Sequence, residues 1–252
     1  MRSYAFFDLD HTLLPFDTQA LFCNLVLRKE RWRTLLHLAF LPFAVLKALR
    51  LVSTVTAKRA FMNYLIGLSR EKLYDYSREF ATGEVASWVY PELRGIIEEH
   101  RQAGRVLVLN TASPDFYAQE IAQELGFDYC VATRVEIPES MPFMPHVMGE
   151  NNKHEAKIAA MKWAIAELND FDDEARRDSW SYSDSSADLP LLEFAGNAML
   201  VHPSASLAKI GQSKGWNILK PGRPYKDKVG DMLCVVKQMF GLFRTLRRPG
   251  QA

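Results

Sequence analysis

The sequence is poor in the features that mark specialised classes. Only three cysteines occur in 252 residues, Cys23, Cys130 and Cys234. They are far apart and lack metal-ligand spacing, so they read as reduced, buried thiols with no functional role. No apolar run reaches the roughly 20 residues that a spanning helix needs. The start Met-Arg-Ser-Tyr has no signal-peptide layout, because its first apolar run is short and meets aspartate at once. Neither sign of charge dominates: the net charge of +1 gives no broad basic field, and no nucleic-acid partner is expected. There is no internal repeat and no low-complexity segment. What remains is 48% apolar and 24% charged residues, an ordinary globular composition, in a chain long enough for one large domain or a core with an insert.

Against that plain background one stretch stands out, Tyr4-Ala-Phe-Phe-Asp-Leu-Asp-His-Thr-Leu-Leu14. The apolar run Ala5 to Phe7 reads as a buried strand. It ends in two carboxylates one residue apart, Asp8 and Asp10, expected in a turn just beyond the strand's carboxyl end. Open parallel sheets bind their ligands there. Two close carboxylates repel unless a cation or proton sits between them. Oxygen ligands of this kind suit a hard ion such as magnesium. A metal-held carboxylate beside a second one has the makings of a nucleophile next to a general acid and base. Alone, the pair reads equally well as two solvated aspartates.

The rest of the chain supplies matching parts. From Phe16 to about Ser87 the texture is helical, with candidates at Asp17 to Glu30, Arg31 to Leu51, Ala57 to Ile66 and Ser69 to about Phe80, the last capped by Ser69. Such a stretch inside an α/β chain reads as an inserted cap. Pro91 to Ala103 is a helix stopped by Gly104. Val106 to Leu109 is a strand, and Ser113 is expected to cap a helix that begins at Pro114 and continues to Leu125, with Gly126 stopping it. Asp128 to Thr133 is a strand. Arg134 to Val147, with Pro138, Pro142 and Pro145, is an irregular flap. Ile158, Met161, Ile165 and Leu168 mark a helix face. Strands follow at Trp180 to Ser183, Ala198 to Val201 and Trp216 to Leu219, with a helix from Ser204 to about Ser213. Alternation of this kind gives an α/β, doubly wound parallel sheet covered on both faces. The expected division is a core at 1–16 and 88–252, ending in a helical tail, and an all-helical cap at 17–87.

Thr111 follows the second strand, Lys157 opens a helix, and Asp184 and Asp188 follow the fourth strand. If phosphate is the ligand, each has a task. The hydroxyl donates to a phosphoryl oxygen, the lysine offsets developing charge, Asp184 adds an oxygen to magnesium, and Asp188 orients Lys157 or a metal-bound water. Singly they are a strand-end hydroxyl, a solvated lysine, a turn residue and a helix cap. His100, His146, His154 and His202 show no metal-ligand grouping and read as surface or loop residues, and His11 as a hydrogen-bonding neighbour of the site.

Four ordered motifs carry a resemblance: Asp8-Leu-Asp-His-Thr12, Leu109-Asn-Thr111, Lys157 in Ala-Lys-Ile-Ala-Ala-Met161, and Asp184-Ser-Ser-Ala-Asp188. The chain resembles the haloacid dehalogenase superfamily, and most of all its phosphoserine-phosphatase-like branch with a helical cap between the first two motifs. The resemblance covers roughly residues 1–16 and 89–220. It implies that Asp8 attacks phosphorus, that Asp10 protonates the leaving group and then activates water, and that Thr111, Ala112 and Lys157 hold the phosphoryl group. It also implies magnesium on Asp8, Asp184 and the Asp10 carbonyl, with Thr12 and Asp188 supporting the site. Lys153 is an alternative to Lys157; the pattern Lys-x-x-x-Met followed by Trp163 favours Lys157. Ser183 and Ser185 stand where the branch often has glycine. A carboxylate at Asp10 favours a phosphatase over a dehalogenase. A phosphorylated receiver domain is about half this length and lacks the insert, and the intact acidic set argues against an inactive scaffold.

The expected substrate is a small-molecule phosphate, with a lipid phosphate as runner-up. Thirteen uncharged residues lie between Arg33 and Lys47, broken by His37 and Pro42. In the tail, Val229, Met232, Leu233, Val236, Phe240 and Phe243 form one helical stripe within 226–248, a segment with six Lys or Arg against two Asp. That layout suits an anionic membrane surface, or else the stripe packs on the core. It also resembles the phosphatidylglycerophosphate phosphatases of the same branch, which have an apolar cap segment. The expectation is a cytoplasmic protein with weak peripheral affinity for an anionic membrane surface.

Overall fold

The structure is a computed structural model and describes residues 2–244. Six strands form one sheet: β1 Tyr4–Phe7, β2 Val106–Pro114, β3 Tyr129–Thr133, β4 Trp180–Ser183, β5 Asn197–Val201 and β6 Asn217–Leu219. Their order is β3-β2-β1-β4-β5-β6 and every pair is parallel. This is the doubly wound α/β sheet that the alternation predicts. The direction of winding reverses between β1 and β4, the place where such sheets open a crevice at their carboxyl ends.

Alternation along β1 explains why both faces are covered. Tyr4 and Phe6 join Val108, Val131, Met161 and Leu168 on one side. Ala5 and Phe7 join Leu107, Leu109 and Tyr182 on the other. The Phe7 and Tyr182 rings stack at 4.3 Å. Each buried aromatic of β1 is worth about 1.5–3 kcal/mol, so the strand that carries the aspartates is firmly anchored.

Between β1 and β2 every described element is helical. This helical segment shares one apolar cluster with the Phe7 face of the sheet, from Leu21 and Phe22 through Leu65, Leu73 and Phe80 to Phe116 and Tyr117. Asp17 caps the helix Thr18–Lys29, accepting from the Ala20 N–H at 3.0 Å, and Ser69 caps Arg70–Glu79 as expected. The single helix expected over Arg31 to Leu51 is instead a 3-10 helix, Arg31–Phe40, followed by the helix Leu41–Ala48. Pro42 sits in the first turn of the second, where its missing N–H costs nothing, and so restarts the chain.

Three further expectations need correction. Ser113 does not cap a helix: β2 runs on to Pro114, the helix is Asp115–Leu125, and the serine hydroxyl is used elsewhere. His100 is not a surface residue. It is buried, its Nε2 is 2.6 Å from the Tyr182 hydroxyl, and burial, with Arg105 adding, pushes its pKa down to about 4. Of the three free thiols only Cys23 is fully buried. The tail forms the helix Lys228–Met239, capped by Asp227. Within the expected stripe Phe243 is buried, but Val229, Met232, Leu233, Val236 and Phe240 face outward. Residues 245–248, with Arg247 and Arg248, lie outside the described residues.

Candidate active site

The site grows from the carboxyl end of β1. The Asp8 N–H donates to the Tyr182 carbonyl at 3.0 Å, extending the β1–β4 ladder by one bond and fixing where its side chain leaves the sheet. The chain then turns sharply. Thr12 and Leu13 both donate to the Leu9 carbonyl, and His11 takes a φ of 57°, a left-handed conformation that costs a side-chain-bearing residue some strain. The turn swings the Thr12 hydroxyl back onto the Asp8 carboxylate, Oγ1 to Oδ2 3.1 Å. The same hydroxyl accepts from the Asp184 N–H at 3.1 Å and lies 3.4 Å from Asp184 Oδ1. One threonine thus ties the ends of β1 and β4 together.

Lys157 stands at the centre. It is fully buried, and its Nζ donates to Asp8 Oδ1 at 2.7 Å and to Asp188 Oδ2 at 2.8 Å. Asp188 occupies a helix N-cap position, yet its side chain makes no cap; it serves Lys157 and accepts from the Ser183 hydroxyl at 2.8 Å. Lys153 is exposed at the cavity's rim. Burial pushes the Asp8 carboxyl up to about 8. The Lys157 ammonium works against that rise, while Asp188, Asp184 and Asp10 add to it. Burial disfavours the Lys157 ammonium, but Asp8 and Asp188 outweigh it and raise its pKa. Asp184 is raised to about 6, chiefly by burial, with His11 opposing and Asp188 and Asp10 adding.

Asp10 is oriented by partners that the sequence does not announce. Its Oδ1 accepts from the Thr18 N–H at 2.7 Å and the Thr18 hydroxyl at 2.6 Å, and its Oδ2 accepts from the Ser113 hydroxyl at 2.8 Å. Thr18 opens the first helix of the helical segment, so the segment itself helps to hold the second aspartate. Thr111 is buried and its hydroxyl accepts from the Ser113 N–H at 3.0 Å, which leaves the hydroxyl hydrogen to donate. Asn110 donates to the Lys157 carbonyl at 3.2 Å. The Asn152 amide bridges Asn110 Oδ1 and the carbonyls of Thr111 and Val131 at 2.8–3.0 Å. Asn152, Thr18 and Ser113 are single polar residues outside any spacing pattern, and nothing in the sequence marks them for these tasks.

These groups surround a cavity of about 310 Å³. Asp8, Asp10, Lys157, Asp184, Asp188 and Ala112 line it; Thr12 and Thr111 sit behind its wall. The opposite wall comes from the helical segment through Gln19, Thr54 and Lys58. Lys58 touches the Ala112 carbonyl and donates to Asn151 Oδ1 at 2.6 Å. Among the described residues it pairs with no carboxylate. Burial pushes its pKa down to about 8, against the pull of Asp10 and Asp17. Gln19 Nε2 is buried without a partner among the described residues. Among those residues no trio of His, Cys, Asp or Glu side chains forms a ready-made metal cage. Asp8 Oδ2 and Asp184 Oδ1, on either side of one hydroxyl, are hard donors that fit an ion which keeps several of its waters, as magnesium does.

Residues 5–193 match the model of the haloacid dehalogenase-like hydrolase family. The chain belongs to this family. A histidinol-phosphatase of Neisseria meningitidis is 25% identical over 87% of this chain and 99% of its own length. A protein of unknown function from Bordetella pertussis Tohama I has a structure that superposes with a TM-score of 0.72 at 25% identity, over 87% of this chain and 98% of that one. A phospho-aspartyl intermediate analogue of phosphoserine phosphatase superposes at 0.57 with 18% identity, over 88% and 94%, a likeness of fold.

Proposed function

We propose that this chain is a magnesium-dependent phosphomonoesterase that works through an aspartyl phosphate and takes a small-molecule phosphomonoester. The observation that carries the reading is Lys157, fully buried and bonded to both Asp8 and Asp188. A cation held there neutralises a carboxylate nucleophile and then the phosphoryl group it receives. An Asp8 oxygen attacks phosphorus, the ester oxygen departs, and Asp10 gives that oxygen a proton. Asp10 then takes a proton from the water that attacks the acyl phosphate, which releases inorganic phosphate and restores Asp8. The Thr111 hydroxyl and the Ala112 backbone hold phosphoryl oxygens. Asp8, Asp184 and the Asp10 carbonyl would hold magnesium, which supplies further neutralisation of the phosphoryl charge. In this reading residues 17–87 act as the cap, and 1–16 with 88–252 as the core.

The cap wall speaks to the leaving group. Lys58 lacks a carboxylate partner among the described residues, and the buried Gln19 amide is unmatched there. A leaving group that carries oxygen acceptors and a second negative charge satisfies both. The outward-facing apolar rows favour one other reading, a lipid phosphate met at a membrane surface.

The test is turnover of an aryl phosphate with magnesium. Asp8→Asn is expected to fold normally and lose nearly all activity, because an amide cannot form the acyl phosphate; chelation should abolish turnover and added magnesium restore it. Wild-type-like turnover by Asp8→Asn would sink the mechanism. Preference for a vesicle-borne phosphomonoester over its short-chain soluble analogue would select the lipid reading.

A further inference from the structure

Seventeen large apolar side chains are exposed among the described residues, and thirteen of them fall in two short stretches, 32–51 and 229–242. Scattered exposed leucines need no explanation, but concentration of this kind does. In the 3-10 helix Arg31–Phe40 three residues make a turn, so Trp32, Leu35, Leu38 and Leu41 form one row. The helix Leu41–Ala48 continues it at Val45 and Leu49, four residues apart. These six are 50–70% exposed. No residue of Leu41–Ala48 is buried, and among the described residues this apolar helix joins no core cluster. A short helix of that composition draws its stability from an apolar partner.

The second row is Val229, Met232, Leu233, Val236 and Phe240 on Lys228–Met239, 39–60% exposed. Gln238 of the same helix is buried, on a side turned away from that row. The two rows adjoin. Arg31 donates to the Gly241 carbonyl at 2.9 Å, and the His37 and Phe240 rings lie 6.4 Å apart.

Charge selects the occupant. Between Glu30 and Glu71 lie forty residues with seven Lys or Arg and no Asp or Glu. Arg31, Lys47 and Arg50 flank the first row, and Lys226, Lys228, Lys237 and Arg244 flank the second. Of the two aspartates there, Asp227 is taken up as the helix cap, accepting from the Gly230 N–H at 2.8 Å. A second copy seated on this face by a two-fold axis would set these cations against themselves. An anionic bilayer surface meets both demands, apolar rows below and basic groups at the level of the headgroups. No helix among the described residues is long and apolar enough to cross a membrane, so the face would lie in the interface.

We propose that this face, built from residues 31–51 and 228–244, docks on an anionic lipid bilayer. The proposal rests on exposure and charge and on no catalytic assignment. Beyond the first row the chain leads through the Ser53 cap into the helix Thr54–Phe61, whose Thr54 and Lys58 line the cavity, so docking brings the cap side of the site next to the bilayer.

The experiment is co-sedimentation of the full-length protein with vesicles of phosphatidylcholine alone or mixed with phosphatidylglycerol, at low and high salt. Binding is expected to the mixed vesicles, to fall as salt rises, and to drop at least about tenfold in the triple variant Leu35→Glu/Leu38→Glu/Val45→Glu and in Val229→Glu/Val236→Glu. All five positions are exposed, and turnover of a soluble aryl phosphate, measured in parallel, should stay at the wild-type level. Failure of the full-length protein to bind mixed vesicles would overturn the proposal, as would binding that both variants retain. So would a concentration-dependent dimer, seen by light scattering, that Leu35→Glu/Leu38→Glu/Val45→Glu abolishes, because the face would then belong to a second copy.

Discussion

At the scale of single residues the site is an arrangement of charges in a confined space. Asp8 and Asp188 share Lys157, while Lys58 enters from the helical segment with neutral oxygens for company. If Lys58 binds the leaving group, Lys58→Met should raise KM roughly tenfold, ~1.4 kcal/mol, for a phosphomonoester whose leaving group is anionic, with a smaller change in kcat. For a neutral aryl phosphate KM should barely move. Because the Lys58 pKa is pushed down to about 8, the KM advantage of the wild type should fade as pH rises through that value. Equal losses on both kinds of substrate would refute the assignment. Asp8, Asp10, Asp184, Asp188 and Lys157 were legible only together: each alone has an ordinary structural reading, but four ordered motifs at strand ends and helix starts carry the resemblance. Thr18, Ser113 and Asn152 were not. A hydroxyl or amide that acts by hydrogen bonding at separations of 8, 21, 41 or 103 residues leaves no periodic pattern, and Ser113 before Pro114 follows the rules of a helix cap better than those of its real task.

At the scale of elements, hydrogen-bonded side chains hold the strand ends in register. Asn152 binds both β2 and β3 through the Thr111 and Val131 carbonyls, and Asn110 ties β2 to the helix Glu155–Ala164 that bears Lys157. Asn152→Ala leaves buried acceptors unmatched and should cost ~1–3 kcal/mol of stability. It should also lower kcat more than it raises KM, because the turn at Thr111 and the helix of Lys157 lose their shared support. A thermal melt and steady-state kinetics on the same variant check both, and an unchanged kcat would limit Asn152 to packing. The strands and most helices were legible from apolar runs and caps, such as Ser69 and Gly126. The fate of residues 31–51 was not: the apolar content is helical in texture, but only the fold shows where Pro42 divides it and that its apolar row stays outside.

At the scale of the whole molecule, the site's charges couple folding to pH. Asp8, raised to about 8, and Asp184, raised to about 6, hold protons in the metal-free fold at pH values where the unfolded chain has lost them. Their contribution to stability is fully present below the ordinary aspartate value near pH 4 and is lost as pH rises through about 6 and then about 8. Magnesium held by these carboxylates would displace those protons, so its stabilisation should grow with pH. Thermal melts with and without magnesium should show a larger rise in Tm at pH 8 than at pH 5.5, and a rise independent of pH would mean that these carboxylates are not the ligands. The central claim is that Asp8 receives the phosphoryl group, and acid-quenched single turnover of an aryl phosphate, followed by peptide mass spectrometry, tests it most directly. A phosphoryl group is expected on Asp8, absent in Asp8→Asn and accumulating in Asp10→Asn, where water activation fails. Turnover with no phosphorylated peptide in Asp10→Asn, or a phosphoryl group on any other residue, would contradict it.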